Sequence, residues 1–262
     1  MTLPFRGSPR AGIRPSPIFL AVLAVTAVGG YLAWQTTGAS RGARVGVFLF
    51  IVAGWVVTVC VHELAHAFLA WRFGDHEVEA RGYLTLNPLK YSHPVLSILL
   101  PVLFIAIGGI GLPGGAVYLH PHRYRTNGQR ALVSLSGPAI NVGFAVLLLV
   151  LVRTFGRNSE HPIFWYAVAG LALLQVMASV LNLLPIPGLD GYGAIEPYLD
   201  PRFRRSAEQF KGYGMLGLFV LLQLPSINHA FFRVIYWLFE LSGLPSVVGQ
   251  LGLALLKFWQ NS

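Results

Sequence analysis

Long apolar runs alternate with short polar connectors along this chain. Residues 18–34 carry no charged side chain, and residues 45–71 form a second, longer run. Residues 95–119 are apolar again but broken by Pro101, Gly108, Gly109, Gly111 and Pro113-Gly114-Gly115. Two further runs follow at 131–152 and 163–184, and residues 212–259 are apolar with breaks at Pro225 and Pro245. A run of about 20 apolar residues is long enough for a helix to cross the hydrocarbon of a bilayer. The pattern predicts an all-α polytopic membrane protein with about five to six transmembrane segments.

The connectors refine this outline. Residues 72–94 mix Arg72, Asp75, Glu77, Glu79, Arg81 and Lys90 with apolar positions. Within them, residues 80–86 read as a short strand followed by a turn at Asn87-Pro88. The breaks in 95–119 suit a re-entrant segment or hairpin better than a single crossing. A short β or re-entrant insertion is therefore expected after the second helix. The organisation read from the chain is a basic N-terminal tail (1–17) and a transmembrane core (18–200), followed by C-terminal membrane segments (201–262). Within the core lie a helix at 45–71, the insertion 72–130, helices at 131–152 and 163–184, and an Asp-Gly element at 185–200. Thr37-Gly38-Ala39 offers the small residues of a signal cleavage site, but the preceding run is longer than a usual signal core and ends on Trp34. It reads as a retained span.

Composition agrees. Of the 262 residues 55% are hydrophobic and 11% charged, against about 25% charged in soluble domains. Mean hydropathy is +0.61. The net charge of +9 sits between apolar runs, where cytoplasmic loops and anionic lipid head groups want it. No nucleic-acid recognition motif accompanies it, so nucleic acid is not an expected partner. The N-tail (Arg6, Arg10, Arg14) and the loops at 120–130 and 200–211 are the basic ones. They place the N-terminus, the end of the second helix and Asp190 at the cytoplasmic face. The lone cysteine, Cys60, allows no internal disulfide and reads as a small buried hydrophobe.

Candidate chemistry lies inside the second run, at His62-Glu63-Leu64-Ala65-His66. On a helix this H-E-x-x-H spacing turns two imidazoles to the same face, one turn apart, as zinc ligands. The intervening Glu63 is then a candidate general base toward a metal-activated water. Random placement of the chain's histidines and glutamates gives on the order of 0.01 such matches. An ionisable group within a membrane span is itself a functional-site candidate. Catalytic zinc usually has three protein ligands and an open position. Asp190 is the acidic residue at a span edge best placed to be the third, in the Pro/Gly-rich Pro185-Ile186-Pro187-Gly188-Leu189-Asp190-Gly191. Its bland reading is a helix cap; with two histidines at the same face lacking a third ligand, the ligand reading is preferred. Asn141 and Asn182 are candidate amide donors to an oxyanion or a substrate strand, with an interhelical hydrogen bond as the alternative for each.

These residues carry a resemblance. His62-Glu63-Leu64-Ala65-His66, Ser136-Gly137-Pro138-Ala139-Ile140-Asn141 and the stretch from Asn182 to Gly191 stand in the order of three motifs of the site-2 protease family of intramembrane zinc metalloproteases. Thr85-Leu86-Asn87-Pro88-Leu89-Lys90 resembles that family's compact bacterial branch, which lacks a PDZ domain. Tyr91-Ser92-His93-Pro94 departs from the Asp-Pro which that branch leads one to expect there. The resemblance implies a zinc cofactor on His62, His66 and Asp190, and cleavage of transmembrane protein substrates near the cytoplasmic face. It further implies a multi-pass protein of a bacterial cell membrane, with membrane lipid as a partner and room for a homo-oligomer. A zinc transporter or sensor using the same ligands is the competing class; Glu63 speaks against it, because transport needs no base beside the ligands.

Overall fold

The computed structural model describes residues 12–36, 38–91 and 117–257. All regular structure in them is helical, and four helices are long and apolar enough to cross a membrane. α1 (Pro17–Trp34) begins on the Ser16 side chain, which accepts from the Phe19 amide, and α2 (Arg41–Arg72) begins in the same way on Ser40. α3 (Glu77–Ala80) is one turn. α4 (Asn127–Leu151) is capped by Thr126 and continues into a wider π turn at Val152–Gly156. α5 (Pro162–Asn182) opens on a proline, whose missing N–H costs nothing at a helix start. α6 (Asp190–Ile195) is short, and α7 (Pro201–Leu222), α8 (Pro225–Glu240) and α9 (Val247–Ala254) complete the chain.

Hydrophobic burial does not drive helices together in lipid, so close approach of small residues has to. Gly29 of α1 lies so near the backbone of Gly46, Leu49 and Phe50 of α2 that a Cβ there would overlap it. Gly252 of α9 sits equally close to Tyr166 and Gly170 of α5. Along α5, Ala167, Ala169, Ala172 and Ala178 are buried, and this helix is the centre of the bundle. The outward residues are large and apolar, among them Leu20, Leu23 and Val28 on α1 and Leu132, Val146 and Val150 on α4. A band of that kind is what lipid covers.

The apolar runs therefore mark the helices to within a few residues. The strand expected at 80–86 is not there. Gly82 and Leu86 both take left-handed conformations (φ 76° and 55°) around a 3₁₀ turn at Tyr83–Thr85. Tyr83, Leu84 and Leu86 are all buried, so the inward positions do not alternate as a half-buried strand requires. The turn at Asn87-Pro88 is present as a 3₁₀ turn whose first amide, Leu89, donates to the Asn87 side chain at 3.0 Å. The re-entrant reading of 95–119 falls mostly on residues 92–116, outside the described residues. The count of about five to six spans stands beside four among the described residues; α7, α8 and α9 do not reach that length and hydropathy.

Three helix ends meet at one side of the bundle: the C-terminal part of α2, the N-terminal half of α4 and the C-terminus of α5. Gly188, in a left-handed conformation (φ 99°), turns the chain after α5. A Cβ on Gly191 would overlap the Leu183 and Leu184 carbonyls. This tight return packs α6 against α4 and brings the Asp190 side chain to the imidazoles of α2.

Candidate metal centre

His62 and His66 project from one face of α2 and are both buried. α4 fixes the back of each ring. His66 Nδ1 donates to the Val133 carbonyl at 2.7 Å, with the Ser136 hydroxyl 3.4 Å away. His62 Nδ1 lies 3.2 Å from Asn141 Oδ1. Carbonyl oxygens only accept, so both rings carry their proton on Nδ1 and present Nε2 as a bare lone pair. The same outer contacts orient histidine ligands in metal sites generally.

The two Nε2 atoms are 3.1 Å apart. Asp190 Oδ2 lies 3.3 Å from that of His62 and 3.4 Å from that of His66. Zinc bonds of about 2.0–2.1 Å in tetrahedral array put neighbouring donors about 3.3 Å apart, so this triangle fits the ion. Three electron-rich atoms converge where only a cation relieves their repulsion. Asp190 is the first residue of α6, and the cap position belongs to Leu189, whose side chain cannot cap; the carboxylate faces the imidazoles instead.

Gly137 closes the cradle. A Cβ there would overlap both Nε2 atoms and come within 2.6 Å of His62 Cε1. Only glycine lets α4 pass this close to the two rings, and the following Pro138 removes one helical donor beside it.

Glu63, 2% exposed, accepts from the Val117 amide through Oε2 at 3.1 Å. It shares with His62, His66, Asp190 and Asn182 the lining of one cavity of about 170 Å³. Asn182 is the last residue of α5 and is buried. The structure thus brings every candidate residue to one place, with Asn141 engaged through its oxygen behind His62. The Gly137-Pro138 pair signals in the sequence that another segment packs closely on α4, and the structure shows the two imidazoles there; the Val133 carbonyl as an anchor has no side-chain signal.

Asp75, Glu77 and His120 form another group with metal-ligating atoms. Here arginine supplies the cation. Arg123 Nη1 is 3.3 Å from Asp75 Oδ1, and its Nη2 is 3.0 Å from Glu77 Oε2. The His120 amide donates to Asp75 Oδ2 at 2.8 Å. The network ties the turn after α2 to the segment that leads from Val117. Cys60 is buried and its carbonyl accepts from the Tyr91 hydroxyl at 3.3 Å.

Known proteins resemble this chain along most of its length. It is 56% identical over 251 residues to Rip2 of Mycolicibacterium smegmatis, named as a candidate zinc metalloprotease, covering 95% of this chain and 96% of that one. Rip2 of Mycobacterium tuberculosis is 52% identical over the same length and shares. YwhC of Bacillus subtilis, likewise named as a candidate zinc metalloprotease, is 31% identical over 192 residues, 67% of this chain and 81% of that one. No protein-family model matches the chain, and no solved structure matches it.

Proposed function

The chain belongs to the site-2 protease family of zinc metalloproteases, and from this premise we propose that it hydrolyses peptide bonds within the membrane-spanning segments of other proteins. One observation carries the reading: a triangle of donors sized for zinc and a buried carboxylate line one cavity among helices of membrane-crossing length. His62, His66 and Asp190 would hold the ion. When bound, zinc lowers the pKa of its water to about 7 and polarises a carbonyl.

The remaining work falls to the chain. Glu63 takes a proton from the attacking water and delivers it to the leaving amine, and the Val117 amide orients its carboxylate for both transfers. Asn141 and the Val133 carbonyl keep the imidazole protons on Nδ1. Asn182 is the amide assigned to the developing oxyanion or the substrate strand. The basic loops at 120–130 and 200–211 support the reading that this end of the bundle faces the cytoplasm, and the bacterial relatives support a bacterial cell membrane as its location.

The test is Glu63→Gln, reconstituted with zinc and offered a single-span protein substrate. Loss of a general base costs about 10²- to 10⁴-fold in rate, with zinc content unchanged. Cleavage by zinc-loaded Glu63→Gln at the wild-type rate would refute the mechanism.

A further inference from the structure

Two turns deeper in the bundle, the cavity of the metal centre is lined by polar groups that the proposed hydrolysis does not use. Trp55 and Thr58 stand on α2 at the same face as His62, and Gln175 stands on α5 seven residues before Asn182; all line the cavity. Seven helical residues advance about 10 Å. Trp55 is 2% and Gln175 0% exposed. The Gln175 Nε2 donates to Thr58 Oγ1 at 2.8 Å, and Thr58 Oγ1 donates to the Trp55 carbonyl at 2.8 Å. A hydroxyl has one proton, and this one is spent on Trp55. Thr58 can therefore only accept from Gln175, which fixes the amide with its nitrogen toward Thr58. The Gln175 Oε1 and the Trp55 Nε1 are left without a hydrogen-bond partner.

A buried acceptor and a buried donor at this depth are costly unless a ligand completes them. Neither carries charge, so an ion is not the complement. One acceptor and one donor match one N–H and one C=O. A transmembrane helix that unwinds to present its scissile bond frees such groups in a medium that cannot satisfy them.

Resting on the proposed function, we propose that Trp55 and Gln175 form a subsite for the unwound main chain of the substrate. Gln175 Oε1 accepts a substrate peptide N–H, and Trp55 Nε1 donates to a substrate carbonyl. At about 3.3 Å per extended residue, the subsite engages the chain about three residues from the scissile bond, on the side lying deeper in the membrane. Both are positioning residues.

The experiment uses the full chain loaded with zinc and a synthetic single-span peptide that it cleaves. Backbone N–H groups of the peptide are replaced one at a time by ester oxygens. In wild type, an ester two to four residues from the scissile bond lowers kcat/KM roughly 3- to 10-fold, the worth of one neutral hydrogen bond. Gln175→Leu and Trp55→Phe lower it by a similar factor on the all-amide peptide, with zinc content unchanged. On the critical ester, Gln175→Leu causes no further loss, because the partner is already gone. A flat ester scan in wild type overturns the proposal, even where a variant fails to fold. So do additive losses, which would assign Gln175 to water or to packing, and so does cleavage by both variants at the wild-type rate. A wild type that cleaves no transmembrane peptide overturns the functional reading itself.

Discussion

Replacing Gly137 by alanine adds one methyl group at the point where α4 crosses the two imidazoles. The added Cβ would overlap both Nε2 atoms and lie 2.6 Å from His62 Cε1, where carbon contacts want about 3.5–4.0 Å. The rings must retreat by about 1 Å, whereas ligand positions in a metal site tolerate about 0.2 Å. Without metal the rings are free to turn away from α4. Binding zinc must return them to the ligating positions against an overpacking cost of about 1–3 kcal/mol. That cost corresponds to a zinc affinity about 5- to 140-fold weaker at 1.4 kcal/mol per decade. Competition with a chelator of known affinity measures it, and circular dichroism checks that helix content is kept. A Gly137→Ala protein that holds zinc as tightly as wild type would show that α4 does not gauge the ring positions.

Asn141→Leu removes the acceptor behind His62 and is expected to weaken zinc binding about 10- to 100-fold, read in the same competition assay. Arg123→Met leaves Asp75, fully buried, short of its cation; a broken buried pair costs about 3–5 kcal/mol, discounted toward the lower figure because Arg123 is partly exposed, and a lowered Tm checks it. Glu77 is held below its ordinary 4.5, chiefly by the hydrogen bond from Arg81. A depressed carboxylate stabilises fully above its unfolded value and loses that contribution as pH falls through the folded one. The Tm advantage of wild type over Glu77→Gln should therefore be complete above pH 4.5 and shrink below it; an advantage that grows on acidification would contradict the assignment.

The helices and the centre were legible in the sequence for different reasons. Membrane spans announce themselves by length and apolarity, so α1, α2, α4 and α5 follow from hydropathy alone. His62, Glu63 and His66 are fixed by a local spacing that helix geometry converts into a shared face. Asp190 was reachable by scarcity, since apolar spans leave few carboxylates to choose from. The stretch 80–86 misled because its alternation is set by a left-handed Gly82 and a turn, which propensity does not register. The anchoring of His66 on a main-chain carbonyl is invisible to any reading of side chains. Gln175, a polar amide inside an apolar run, was a signal that went unread.

The ligand set is split between α2 and the start of α6, with α4 and α5 between them in the chain. At about 5–20 residues per second, synthesis needs on the order of ten seconds to travel from His66 to Asp190. During that interval the H-E-x-x-H helix is already made while its carboxylate partner has yet to leave the ribosome. A metal centre drawn from both halves is therefore incomplete until α4 and α5 have been made, so three protein ligands can meet one ion only after the last of the four long apolar helices among the described residues has been synthesised.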